Sequence, residues 1–170
     1  MGGETTIAVR CVSADDLALS KRLRLAALAD APDAFLSTFA DESAMSDEEW
    51  QARLDANVAG AHTAGFFAVV DGVARGLVVG VRREDRPDTV NLNALWVAPD
   101  ARARGAGRAL VEAVCTWARA LGCSRVALAV GENNEVATML YRRCGFTETK
   151  RRVRTTSARS YTEVSMALRL

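Results

Sequence analysis

The sequence predicts a single mixed α/β domain over residues 1–170, on three observations. Short apolar runs alternate with segments of helical period. One strand leads into a glycine-containing turn that opens a helix near Gly105. The last third then runs helix, strand, helix and two strands without any linker, repeat or low-complexity segment. The expected order is β-α-α-β-β-β-α-β-α-β-β.

Each element has a local reason. Ile7-Ala8-Val9 with Cys11-Val12 reads as an opening strand. Ser13 and Asp16 form a candidate capping box for a helix to about Leu28, with Leu17, Leu25 and Leu28 on one face, and Ala31-Pro32-Asp33 stops it. Phe35 to Ala44 reads as a loop carrying the acids Asp41 and Glu42. Ser46 and Glu49 form a second capping box, for a helix through Trp50 and Leu54. Phe66–Val70 and Leu77–Val81 read as a hairpin turning at Asp71-Gly72, with a somewhat long connection. Val90–Val97 is the next strand, closed by Pro99. Leu110, Val114, Trp117 and Leu121 form a helical stripe that Gly122 ends, and Val126–Val130 is a buried-type strand. Asn134 opens a helix with Ala137, Leu140, Tyr141 and Cys144 on one side. Phe146–Val153 and Tyr161–Leu170 form a final hairpin whose Val164, Met166, Leu168 and Leu170 share one face.

Composition narrows the classes. A net charge of +1, with 49% hydrophobic and 25% charged residues, sets up no field that recruits nucleic acid or an anionic membrane. No apolar run reaches spanning length and no leader pattern opens the chain, so a cytoplasmic protein is expected. Met1-Gly2 with Thr6 fits a lipidation pattern short enough to arise by chance. Cys11, Cys115, Cys123 and Cys144 lack ligand spacing and read as small hydrophobes in a reducing compartment, with no metal expected.

The chemistry concentrates at Val97-Ala98-Pro99-Asp100-Ala101-Arg102-Ala103-Arg104-Gly105-Ala106-Gly107-Arg108. A helix start carries unpaired N–H groups and partial positive charge, an anion site. Gly105 and Gly107 let phosphate oxygens approach the backbone, and Arg102, Arg104 and Arg108 add permanent charge. A Walker A loop would need a lysine and a hydroxyl here. A dinucleotide fingerprint would need a third glycine where Leu110 stands, and an acid where Val126–Val130 is apolar.

Arg102-Ala103-Arg104-Gly105-Ala106-Gly107 resembles the Arg/Gln-x-x-Gly-x-Gly/Ala turn of the GNAT acetyltransferase superfamily, and Leu95-Trp96-Val97-Ala98-Pro99 is similar to its lead-in. Asn134, Ala137, Leu140, Tyr141, Gly145 and Phe146 fill a second family element. The resemblance implies a mixed, mostly antiparallel sheet flanked by helices. It also implies an acetyl-CoA-dependent N-acetyltransferase acting on a primary amine of a small molecule or peptide, and a possible homodimer. On that likeness, backbone groups of Leu95, Trp96 and Val97 would pair with the pantetheine arm. The amides from Arg102 through Ala103, Arg104, Gly105, Ala106 and Gly107 to Arg108 would hold the pyrophosphate. Asn134 would contact the pantetheine or the helix start, and Tyr141 would protonate the departing thiolate.

The acceptor side stays open. Thr89–Leu95 carries no carboxylate, so the candidate base is Glu42 in the acidic loop, with a solvated loop acid as the alternative. His62 reads as an exposed loop residue. Phe35, Phe39 and Trp50 are pocket-lining or core aromatics. Asp41, Glu42, Asp47, Glu48 and Glu49 suit a cationic acceptor, whereas Lys150, Arg151, Arg152, Arg154 and Arg159 suit an acidic one. The missing strand carboxylate leaves an acyl-CoA-binding sensor as the rival function.

Overall fold

A computed structural model describes residues 5–155 and 160–170. Met1, Gly2 and Arg159 lie outside the described residues. Strand β1 (Ile7–Cys11) leads to helix α1 (Leu17–Asp30), the short helix α2 (Phe39–Ser43) and helix α3 (Asp47–Asn57). Strands β2 (Thr63–Val70), β3 (Val73–Arg82) and β4 (Thr89–Val97) follow. Then come α4 (Ala106–Ala120), β5 (Arg125–Gly131), α5 (Glu135–Arg143), β6 (Thr147–Thr155) and β7 (Ser160–Arg169). The described strands form one sheet in the order β1-β2-β3-β4-β5-β7-β6. It is antiparallel everywhere except at the β4–β5 pair. No helix among the described residues is long and apolar enough to cross a membrane.

Both faces of the sheet are covered, which explains the near-continuous apolar runs of β2 and β3. Phe66, Ala68 and Val78 face a core shared with Leu110 and Val114 of α4. Their neighbours Phe67 and Leu77 face a second core with Leu23 and Ala27 of α1 and Leu54 of α3. Close approach is enforced at Gly80, where a Cβ would lie 2.9 Å from the Trp117 ring. The edge strand β6 is exposed throughout. Its Lys150, Arg151, Arg152 and Arg154 guard a free edge against further strand addition.

Four local expectations are corrected. Asp16 stands at the N-cap position of α1, but its side chain makes no capping hydrogen bond. Its carboxylate accepts from the Ser13 N–H and hydroxyl and from Arg10 at 2.7 Å twice, so the candidate box is an ion-paired turn. The fully buried residues of α1 are Leu23, Ala27 and Leu28, while Leu17 and Leu25 are only half-buried, so the face against the core is centred on Leu23 and Ala27. Phe35–Ala44 is not all loop: Thr38 accepts from the Asp41 N–H and opens α2, which contains Glu42. The β2–β3 connection is the tight pair Asp71-Gly72, with φ of 50° and 81°, the conformation a two-residue hairpin needs. The Ser46–Glu49 box forms with both reciprocal hydrogen bonds.

The functional consequence of this topology lies at β4. It pairs with β5 from Thr89 to Asn91 alone, and the remainder of both strands carries no mutual pairing. On its other side the register with β3 slips between Leu77 and Val79, leaving Ala94 and Leu95 without paired residues. Ala94 adopts φ 55°, a strained conformation for a residue with a Cβ.

Candidate active site

The start of α4 lies against the end of β4, where a Cβ on Gly107 would come within 3.9 Å of Val97 Cγ2. None of the N–H groups from Ala103 to Arg108 donates to an acceptor among the described residues, whereas the Ala109 N–H returns to the Gly105 carbonyl at 3.0 Å. Six consecutive unpaired donors at a helix N-terminus make a strong anion cradle. The two glycines serve it for different reasons. Gly105 has φ 98°, which a side chain would strain, while its surroundings leave room. At Gly107 the constraint is steric: a Cβ would sit 3.0 Å from Leu140 Cδ2.

Of the three arginines that the sequence assigns to this anion, two have side chains engaged within the fold. Arg102 donates to the Val97 carbonyl at 3.0 Å and pairs with Asp30, which also accepts from Trp96 Nε1 at 2.8 Å. These hydrogen bonds, Trp96's foremost, hold the Asp30 carboxyl below the usual carboxylate range. Arg104 pairs with Asp71 at 2.9 Å. Arg108, in the first turn of α4, is exposed and has no such partner among the described residues. Val97 therefore has its carbonyl engaged by Arg102, Trp96 is buried through its indole anchor, and Leu95 stands half-buried at the unpaired bulge.

Helix α5 is fixed against the cradle by Leu140 over Gly107. Its N-cap is Asn134, whose Oδ1 accepts from the Ala137 N–H at 3.2 Å; of the two contacts expected of Asn134, this is the helix start. Tyr141 is 7% exposed and packs on Phe146 with ring centroids 5.9 Å apart. Its hydroxyl has no hydrogen-bond partner among the described residues. Burial drives its pKa well above the ordinary phenol range.

Glu42 is 2% exposed and lies between two guanidiniums. It accepts from Arg24 Nε at 2.9 Å and Nη2 at 2.8 Å, and from Arg53 Nη1 at 2.5 Å. Burial pushes the carboxyl up, and Arg24, then Arg53, outweigh that and hold it below its ordinary value. A carboxylate so held is a poor proton acceptor at neutral pH. Arg24 stacks over Phe35 at 4.7 Å and Arg53 over Trp50 at 5.2 Å, so both guanidinium planes are fixed. Trp50, 2% exposed, is at once core and lining, and its Nε1 is buried without a hydrogen-bond partner among the described residues.

Beside this network a cavity of about 270 Å³ runs from α1 and α3 to the β4 bulge, reaching Asn93 and Ala94. Phe35 and Phe39 do not line it, and Phe39 is half exposed. Asp41, Asp47, Glu48 and Glu49 are exposed outside it, and His62 is exposed at the start of β2. The basic hairpin is largely neutralised: Arg151 pairs with Glu132 and Glu148, and Arg152 and Arg154 with Glu163. Sequence reasoning missed Asp30, Arg24 and Arg53. Their partners lie between 11 and 72 positions away, and no local pattern marks them.

Comparison with known proteins identifies the family and the fold. The acetyltransferase (GNAT) family model matches residues 25–146. Aminoglycoside N(6')-acetyltransferase type 1 of Salmonella typhimurium is 32% identical over 96 residues, covering 53% of this chain and 66% of that protein. Mycothiol acetyltransferase of Salinispora tropica is 34% identical over 151 residues, covering 85% of this chain and 45% of that protein. The chain thus spans less than two thirds of the length of either relative. Among solved structures, a GNAT-family acetyltransferase from Streptococcus pneumoniae superposes with TM-score 0.80 at 21% identity, covering 97% of this chain and 99% of that one. The yncA protein of Salmonella typhimurium, solved with its cofactor acetyl-CoA, gives TM-score 0.79 at 18% identity, covering 96% and 94%. With the β4–β5 opening, the cradle and the Asn134–Phe146 element all inside or at the border of the matched segment, this chain belongs to the acetyltransferase (GNAT) family.

Proposed function

We propose that the chain is an acetyl-CoA-dependent N-acetyltransferase that moves the acetyl group to a primary amine of a small molecule or peptide. The observation that carries this reading is the run of six unpaired N–H groups, 103 to 108, beside a sheet opening. A pyrophosphate fits such a cradle, and an extended pantetheine arm fits a strand edge left unpaired on β4. When bound, the thioester supplies an activated acyl group that an amine attacks directly.

The chain's own residues divide the remaining tasks. The amides from Ala103 to Arg108 and the Arg108 guanidinium hold the diphosphate. Asp30 and Arg102 brace the cradle against α1 and β4, and Asn134 and Leu140 set the position of α5. We assign the Leu95 N–H, at the bulge where Leu95 has no register partner on β3, to the acyl oxygen on which charge develops. Tyr141 keeps its proton at every working pH and donates it to the leaving sulfur, while the attacking nitrogen gives up its second proton to water, from which Tyr141 is reprotonated. Glu42 is assigned to structure rather than to proton transfer.

The described cavity lining contains no Asp, Glu or His. The acceptor ammonium, with pKa near 10, therefore releases its proton to water. The expected pH profile of kcat/KM rises with unit slope from about pH 6 to 9. A plateau setting in near pH 6 or 7 would reveal a protein base. That same lack of a base favours the second reading, an acyl-CoA-binding sensor.

Thiol release from acetyl-CoA over a panel of amines tests the function. Turnover with at least one amine supports transfer, and coenzyme binding without turnover on any supports the sensor. On either reading Arg108→Ala is expected to weaken acetyl-CoA binding about tenfold, the value of one charge-assisted contact. The loss should shrink as salt is raised, because Arg108 is exposed. Calorimetric titration at two ionic strengths measures both effects.

A further inference from the structure

The cavity that meets the β4 bulge has a charge bias that the acetyl donor does not need. On its α1 and α3 side it is lined by Arg24 and Arg53, with the neutral groups Ser20, Asn57 and Asn93 around them. No Asp or Glu among the described residues lines it. Glu42, packed behind the two guanidiniums, neutralises one of two positive charges, so the network keeps a net charge of +1. The donors are not exhausted either. Glu42 takes Arg24 Nε and Nη2 and Arg53 Nη1, while Arg24 Nη1 and Arg53 Nε and Nη2 have no acceptor among the described residues. Stacking on Phe35 and Trp50 holds these forks in place before any ligand arrives.

We propose that the acceptor is a small amine carrying a carboxylate, an amino-acid-like molecule whose acid group docks on Arg53 and Arg24. The inference rests on the acetyltransferase reading for the destination of the amine, which is the end of the cavity at Asn93 and Ala94. Three features converge on this class. Free guanidinium donors match a carboxylate in shape and charge. A net positive wall without any acid repels a polycation. A volume of about 270 Å³, walled by Val12, Leu54, Phe67 and Leu77, takes a compact apolar body, and it lies just below the size of pockets for drug-sized ligands.

The test uses the full chain saturated with coenzyme A, and reads binding of reaction products so that it does not depend on turnover. N-acetyl-L-leucine and N-acetyl-L-phenylalanine are titrated beside their carboxamides and N-acetylspermidine. The acids are expected to bind about tenfold or more tightly than the amides, with the polyamine weakest. Arg53→Gln leaves both Arg24 bonds to Glu42 in place and should bring acid and amide within about twofold, whereas Arg53→Lys retains part of the preference. Unchanged circular dichroism and coenzyme affinity confirm that each variant is folded.

Equal binding of acid and amide overturns the proposal, as does a preference that survives Arg53→Gln, tighter binding of the polyamine, or no binding of any acid. Failure of the acetyltransferase reading looks different. The acids would bind through Arg53, yet no parent amine would release thiol from acetyl-CoA.

Discussion

Tyr141→Phe is expected to lower kcat by about 10²-fold or more, the usual contribution of a positioned general acid, while the KM for acetyl-CoA stays within about twofold. The substitution removes one oxygen and nothing else of structural weight. The ring remains against Phe146, and no hydrogen bond among the described residues is broken, so stability should be unchanged. Burial holds the phenol protonated, which fits a donor and excludes a neutral-pH base. The hydroxyl also sits on a helix whose position is fixed twice, by the Asn134 cap and by Leu140 over Gly107. Single-turnover acetyl transfer, followed with calorimetric coenzyme binding, separates the chemical step from affinity. An unchanged single-turnover rate would remove the acid role from Tyr141 and leave it a packing residue.

What was legible in the sequence follows from how local each feature is. The cradle could be read because its demands fall on adjacent positions. One glycine must hold a positive φ, another must leave room for Leu140, whose Cδ2 would lie 3.0 Å from an added Cβ, and a proline ends the strand before them. The Ser46–Glu49 box and the Asn134 cap are equally local, each closed within three residues. The β4–β5 opening was not legible, since nothing in Leu92–Val97 says that pairing stops after Asn91. Glu42 shows the limit most clearly. Its local context, an acid among polar residues before a capped helix, matches a solvated loop. Its role is set by Arg24 and Arg53, 18 and 11 positions away on two other helices. The same holds for Asp30, whose partners Trp96 and Arg102 lie 66 and 72 positions on.

Glu42→Ala is expected to destabilise the fold by about 3 kcal/mol, near the low end for breaking a buried ion pair. The size follows from what is left behind. Arg24 loses a bidentate acceptor and Arg53 its single one, in a network where Glu42 itself is 2% exposed. Solvent reaches the Arg53 side chain, 35% exposed, and this keeps the cost from being larger. Glu42→Gln keeps the shape and one acceptor oxygen and should cost less. Acidification provides the control. The folded Glu42 carboxyl titrates below its ordinary value of 4.5, so its contribution is fully present above about pH 4.5. Below that, the unfolded chain takes up the proton first, and the contribution is lost as pH falls through the folded pKa. The stability gap between the native chain and Glu42→Gln, measured by urea denaturation, should therefore be constant from pH 7 to about 5 and close below 4.5. A gap that does not change with pH would mean that Glu42 stabilises by shape and neutral hydrogen bonding, and that its charge is not what holds Arg24 and Arg53 at the cavity wall.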